Sequence, residues 1–215
     1  MRHGEVAYFD ADGSPLQPDE VGLTDEGSRQ AEAAATLLAS VAFDRVVTSG
    51  LPRTLETAAI VAPTVEPESW PELRELRGAK LSAIPEDELE HEFVHGLRGV
   101  VPLERQFLGG ETIGELFDRV LPAVERLLAE GWDTALAVLH GGVNRAVLSW
   151  ALTGERLYLG HFEQAAGCVN VLDVGDDGWI VRTVNYVPYD PLHPARTTTM
   201  EHLWEQLKPF LDERA

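Results

Sequence analysis

The residues with the most chemical potential stand at the head of the chain, where Arg2, His3, Gly4 and Glu5 follow one another. A guanidinium is a permanent forked cation, an imidazole is a nucleophile or proton carrier, and a glycine lets another group approach the backbone closely. Such a group suits an anion. Two further residues of the same kinds are placed to join it. Arg53 follows Ser49-Gly50-Leu51-Pro52, where a short β-branched run gives way to a helix, and His140 opens His140-Gly141-Gly142, where an apolar run does the same. Helix N-termini attract anions through free N–H groups and the dipole. With Arg2, His3, Arg53 and His140 around one phosphoryl group, the two guanidiniums bind its oxygens and one ring nitrogen of His3 attacks phosphorus. His140 then donates to an oxygen on which charge accumulates in the transition state. The neighbouring cations keep the nucleophile unprotonated by lowering its pKa. Gly141 and Gly142 permit close approach, and their N–H groups add to the cradle. One carboxylic acid must protonate the leaving alkoxide and then take a proton from water. Glu5, Glu72, Glu75 and Glu111 are all candidates for that work.

These residues need elements to hold them. Residues 6–22, with Gly13, Pro15, Pro18 and Gly22, read as a long surface loop after the opening motif. Thr24 is a helix N-cap, and the helix reaches about Ser40 with Ala31, Ala34, Ala35, Leu37 and Leu38 inward. Phe43 to Thr48 is a buried strand, Pro52 opens a helix to about Val61, and Pro63 to Glu66 is a further short strand. Residues 79–110, helical from Glu86 to Phe93, read as a cap-like insertion over a site. Thr112-Ile113-Gly114-Glu115 has the spacing of a capping box and opens a helix to about Glu130, kinked at Pro122 and closed by Gly131. Ala135 to Leu139 is apolar enough for a central strand covered on both faces, and Val143 to Leu152 follows as a helix closed by Gly154. Cys168 to Val174 and Trp179 to Tyr186 flank Gly175-Asp176-Asp177-Gly178 as a β-hairpin. Thr198 to Glu201 opens a last helix whose stripe of Met200, Leu203, Trp204, Leu207 and Leu211 is core packing. The alternation predicts an α/β fold of one domain, residues 1–215: a three-layer α/β/α sandwich with a mostly parallel sheet and a C-terminal β-hairpin. Ligands of such folds bind beyond the carboxyl ends of the strands, where Arg53 and His140 both fall.

Composition narrows the partners. The 215 residues carry a formal charge of −19, which argues against nucleic-acid binding and against anionic membranes. A phosphorylated substrate must therefore be attracted locally. The single cysteine, Cys168, excludes an internal disulfide framework and a multi-cysteine metal site, and reads as a small apolar strand residue. No apolar run is long enough to span a bilayer and no signal peptide is visible, so a cytoplasmic location is expected. His3 and His140 lack the His-x-x-x-His or carboxylate-rich company of metal ligands, so no metal is expected. His91, His95, His161, His193 and His202 lack matching partners and read as surface or core histidines.

Several stretches carry a resemblance to a known family. They are Arg2-His3-Gly4-Glu5, Leu23-Thr24-x-x-Gly27-x-x-Gln30-Ala31, Thr48-Ser49-Gly50-Leu51-Pro52-Arg53-Thr54-x-x-Thr57-Ala58, Leu73-Arg74-Glu75, Gly110-Glu111-Thr112 and His140-Gly141-Gly142-Val143-x-Arg145. In this order the chain resembles the histidine phosphatase superfamily, in its phosphoglycerate-mutase-like branch. The resemblance implies a phosphoglycerate-mutase-like fold, His3 as phosphohistidine nucleophile, Arg2, Arg53, His140 and Gly141 as phosphate pocket, and Glu75 as proton donor. It implies no cofactor and a small phosphorylated substrate. Two departures favour hydrolysis over intramolecular transfer: no Asn follows Glu5 within Val6 to Asp10, and Arg74, Arg77, Arg98 and Arg105 are scattered, not paired. The expected activity is hydrolysis of small phosphomonoesters. A cofactor-dependent phosphoglycerate-type mutase and a catalytically silent phosphate-binding module are the alternatives.

In this fold the Arg-His-Gly turn should follow a buried strand, yet only Met1 precedes Arg2. The expectation is a natural start upstream by about six to ten residues, a usual strand length plus a start.

Overall fold

Thr24 starts the first helix through its side chain. In the computed structural model, which describes residues 1–10, 16–79, 81–193 and 197–212, its hydroxyl accepts from the Gly27 N–H, and α1 spans Asp25–Leu37. Asp25 and Glu26 sit at the positive end of that helix dipole. Gly13 and Pro15 of the expected loop lie outside the described residues. The elements then run β1 (Arg45–Thr48), α2 (Pro52–Val61), β2 (Glu68–Ser69), α3 (Glu86–His95), β3 (Val100–Val101) and α4 (Ile113–Ala129). They continue with β4 (Ala135–Val138), α5 (Gly141–Thr153), β5 (Tyr158–Leu159), β6 (Val169–Gly175), β7 (Gly178–Tyr186) and α6 (Thr199–Asp212).

The central sheet is parallel in the order β2-β1-β4, with Arg45 to Thr48 paired to Ala135 to Val138. Beyond β4, Arg2 forms a parallel bridge with Leu139, and its N–H donates to the Cys168 carbonyl just before β6. Strand alternation sorts the core into two faces. Val46, Leu136 and Val138 join Met1, Ala34, Ala58 and Val61 under α1 and α2. Val47 and Leu139 join Ile113, Leu116, Phe117, Val120, Val143 and Ala146 under α4 and α5. One sheet between two helix pairs is the three-layer α/β/α sandwich, closed by the antiparallel β6–β7 hairpin.

Some boundaries differ from expectation. The edge strand is Glu68–Ser69, not Pro63–Glu66, because residues 62–65 turn, with the Val65 N–H on the Ala62 carbonyl. The chain then meets β1 at Val47↔Glu68 and Thr48↔Ser69. The capping box at Thr112 and Glu115 is formed, and α4 runs unbroken through Pro122. It ends on Glu130 in extended backbone, without a left-handed Gly131; the Trp132 indole N–H donates to the Leu127 carbonyl at 2.6 Å instead. Gly154 does close α5 in the left-handed region, at φ 70°.

The last helix packs on α3, not on the sheet. Trp204 and Leu207 are buried against Leu89 and Val94, with Phe9 and Phe93 alongside. Arg98 bridges to Glu201 at 3.0 Å. The Leu211 side chain lies outside the described residues. Pairing of β3 with β5, at Val100↔Leu159 and Val101↔Tyr158, ties residues 79–110 to the segment after α5. Among the described residues no helix is long and apolar enough to cross a membrane.

Candidate active site

The opening turn is held by the motifs that accompany it in the sequence. The His3 N–H donates to the Leu139 carbonyl at 3.0 Å, which puts the imidazole at the carboxyl end of the sheet. The Gly4 N–H donates to Thr57 Oγ1 and the Glu5 N–H to Gln30 Oε1, at 3.1 and 2.9 Å. A Cβ on Gly4 would stand 2.3 Å from the Gly27 carbonyl oxygen, and one on Gly27 would stand 2.1 Å from that of Glu5. Two bare backbones therefore meet here, and glycine is needed on both sides. His3 is 2% exposed. Its Nδ1 lies 2.7 Å from the Gly4 carbonyl oxygen, which only accepts, so Nδ1 carries the proton and Nε2 carries the free lone pair.

His140 is the N-cap residue of α5 and is fully buried, its ring centroid 5.1 Å from that of His3. A chain of hydroxyls orients it. Thr54 Oγ1 donates to the Leu51 carbonyl at 2.8 Å, so the 3.1 Å contact between Ser49 and Thr54 uses the Ser49 proton. Ser49 Oγ must then accept from His140 Nε2 at 2.8 Å. That leaves His140 Nδ1 buried without a partner, and Arg2 Nε and Arg53 Nε are in the same condition. Leaving one buried polar atom unpaired costs about 1–3 kcal/mol. Two of the three, Arg2 Nε and Arg53 Nε, are charged donors beside His3 and suit an oxygen-rich anion; His140 Nδ1 joins them only with a second proton on the ring.

One terminal nitrogen of each guanidinium is anchored on the protein. Arg53 lies in the first turn of α2, behind Pro52, and one of its terminal nitrogens donates to the Pro18 carbonyl at 2.5 Å. Arg2 donates to the Gln164 carbonyl at 2.5 Å and to Thr199 Oγ1 at 3.1 Å. Thr199 in turn donates to Glu163 Oε1 at 2.6 Å. No spacing or motif in the sequence points to Gln164, Thr199 or the role of Ser49. Gln164 is completely buried in a loop, and Thr198 and Thr199 read there only as the start of a helix.

Of the four candidate carboxylates, Glu75 is the one that reaches the pocket. It accepts from the Gly142 N–H at 3.1 and 3.2 Å and from the Leu76 N–H at 2.8 Å. A Cβ on Gly141 would lie 3.8 Å from Glu75 Oε2 and 3.9 Å from Arg2 Nε, so Gly141 faces both. The Gly142 N–H is thus spent on Glu75 and is not part of an anion cradle as expected. Glu72 pairs with Arg126, Glu111 is buried against Arg119, and Glu5 accepts from Thr24. His161 is exposed.

Burial holds both imidazoles well below the ordinary histidine pKa, and the Arg2 and Arg53 charges push the same way. An unfolded chain takes up these two protons near pH 6.5 while the folded one does not. Stability is therefore full above that pH and falls below it, by up to about 2.7 kcal/mol per pH unit for two protons. Thermal melts from pH 7.5 to 5 should show this fall, and it should be shallower in His3→Ala. Equal slopes in the two proteins would refute the assignment of His3 as buried and neutral.

The Histidine phosphatase superfamily (branch 1) profile matches residues 1–187. The adenosylcobalamin/alpha-ribazole phosphatase of Salmonella typhimurium is 28% identical over 203 residues, covering 86% of this chain and 94% of that protein. Wheat (Triticum aestivum) 2-carboxy-D-arabinitol-1-phosphatase is 28% identical over 182 residues, covering 80% of this chain and 36% of that one. The chain spans less than half the length of the plant relatives it matches. Among solved structures, the alpha-ribazole phosphatase of Shigella flexneri superposes with a TM-score of 0.67 at 24% identity, over 86% of this chain and 94% of that one, a likeness of fold. A family match over residues 1–187, on a sheet that carries Arg2, His3, Arg53 and His140 to one edge, leaves one assignment: the chain belongs to the histidine phosphatase superfamily, branch 1.

Proposed function

We propose that this protein is a phosphatase that hydrolyses small phosphomonoesters through a covalent phosphohistidine on His3. The observation that carries the reading is the set of unpartnered buried nitrogens, Arg2 Nε, Arg53 Nε and His140 Nδ1, beside a histidine whose Nε2 is left free. The phosphoryl oxygens complete the two guanidiniums. His3 Nε2 attacks phosphorus while the bond from phosphorus to the ester oxygen breaks, and Glu75 gives its proton to the departing alkoxide. Water then attacks the phosphohistidine, Glu75 takes the water's proton, and the P–N electrons return to Nε2 with release of inorganic phosphate. His140 already donates from Nε2 to Ser49, so to donate from Nδ1 it must carry two protons. The bound phosphate dianion favours that imidazolium.

The stretch 79–110 and α6 form the cap over the substrate, and the named substrates of the relatives indicate a small phosphorylated molecule. Hydrolysis is favoured over transfer because the cap arginines are engaged: Arg98 with Glu201, and Arg105 with Glu92 and the Gly96 carbonyl. A mutase needs free cations there for a second phosphate. The test is a phosphomonoester screen with and without a bisphosphorylated primer, after chelation of metals. Release of inorganic phosphate that needs neither metal nor primer is expected, with an acid-labile phosphoenzyme trapped on the best substrate. Primer-dependent isomerisation without net hydrolysis would overturn the reading, as would activity lost to the chelator.

A further inference from the structure

Arg119 stands on α4, outside every motif that marks the site, yet each of its five N–H donors is used. Nε and one terminal nitrogen donate to the two oxygens of Glu111, at 2.6 and 2.9 Å. The remaining donors reach three carbonyls of one short segment: Glu72 at 2.7 Å, Arg74 at 2.6 Å and Glu75 at 3.3 Å. Glu111 grips the same segment from the other side. Its Oε2 accepts from the Arg77 N–H at 3.1 Å, and its own N–H donates to the Arg77 carbonyl at 2.8 Å. The Glu111 side chain is 5% exposed and that of Arg119 is 17% exposed. Gly110 lets this happen, since a Cβ there would stand 2.2 Å from the Arg77 carbonyl oxygen.

Residues 74–79 have no helix or strand of their own. A loop without regular hydrogen bonds holds a side chain in place only if something else fixes its backbone. Here that is one guanidinium on three consecutive-region carbonyls. Planar Arg suits the task and Lys does not, since an ammonium has three donors where five are in use. We propose that Arg119, locked by Glu111, is the positioning residue that fixes the backbone of residues 72–77 and so aims the Glu75 carboxyl at the leaving oxygen. This rests on the reading of Glu75 as proton donor.

The experiment separates positioning from general stability. A proton donor matters for a strongly basic alkoxide and little for a weakly basic phenolate. Values of kcat/KM, which report steps only through transfer to His3, should be measured for p-nitrophenyl phosphate and for the best alkyl phosphate from the screen. Wild type, Glu75→Gln, Arg119→Lys and Glu111→Gln are compared, each checked for folding by circular dichroism. Arg119→Lys and Glu111→Gln should lower the alkyl value by roughly ten- to a hundred-fold, as misplacement of a catalytic group does. The aryl value should change by less than about three-fold, and inhibition by inorganic phosphate should be unchanged. Equal losses on both substrates in a folded variant would overturn the proposal, as would no loss in either variant. If Glu75→Gln itself shows no preference for hurting the alkyl substrate, the proton-donor reading fails and the proposal falls with it. If Glu75→Gln shows the preference and the two scaffold variants do not, only the positioning role is refuted. Should Arg119→Lys not fold, Glu111→Gln, which keeps size and shape, decides the question.

Discussion

Replacing His3 by Ala should lower turnover of any phosphomonoester by about ten-thousand-fold or more, the scale on which removal of a covalent nucleophile acts, and should leave inorganic phosphate bound. The two halves of this result come from different atoms. On the proposed mechanism turnover needs Nε2, which the Nδ1–H bond to the Gly4 carbonyl leaves unprotonated and unblocked. Phosphate binding, on the proposed mechanism, rests on Arg2, Arg53 and His140, whose anchors at Gln164, Pro18 and Ser49 do not pass through the His3 ring. Removal of the imidazole takes away a group that burial and two cations already disfavour as a cation, so the pocket loses no favourable charge. The measurement is paired: steady-state turnover on the best substrate, and phosphate affinity by calorimetry. Loss of turnover with retained phosphate binding, and no acid-labile phosphoenzyme, is the expected outcome. A variant that still turned over at a tenth of the wild-type rate would exclude His3 as the nucleophile.

Under the proposed function, net charge and local charge act in opposite directions. A chain of formal charge −19 repels a phosphate ester at long range. At short range the proposed ester would meet two guanidiniums whose Nε atoms have no other acceptor. In a dry pocket each such charge-assisted bond is stronger than its exposed counterpart. The proposed specificity for a doubly negative group would then be a matter of unpaired donors and not of the global field.

Legibility in the sequence followed length and period. The sandwich could be read because β1 is a short β-branched run and β4 a near-continuous apolar one, as buried strands are, and because α4 repeats its apolar residues at helical spacing. The two-residue strands β2, β3 and β5 could not, since so short an element has no period to detect. Arg53 and His140 were legible because each stands at a strand-to-helix turn, a place with its own chemistry. Glu75 was not legible from its neighbours: it lies in a charged loop among equivalent carboxylates, and only the family resemblance singled it out. What separates it is tertiary. Glu72 and Glu111 are taken by Arg126 and Arg119, while Glu75 alone meets the Gly142 N–H. The stripe on α6 was readable as a buried face, but periodicity names a face and not what it faces, which proved to be α3.

Glu75 and Gly142 give the second large effect. Glu75→Gln keeps the shape and one oxygen for the Gly142 N–H but has no acidic proton, so kcat/KM for an alkyl phosphate should fall by roughly a hundred- to ten-thousand-fold. Gly142→Ala attacks the same group from α5. The new Cβ would stand 2.6 Å from Glu75 Oε1 and 3.3 Å from Leu76 Cβ, so the carboxylate must leave its place and lose its bonds to the Gly142 N–H. Alanine is also the better helix former by about 1 kcal/mol, which offsets the crowding and keeps α5 folded. A loss of about a hundred-fold on alkyl phosphates is expected from that displacement. Because both changes disable one proton transfer, their effects should not add. The double variant should be no slower than Glu75→Gln alone, measured as kcat/KM on the same substrate. Losses that multiplied would mean that Gly142 acts on the reaction through something other than Glu75, and the role given to this carboxyl would have to be reassigned.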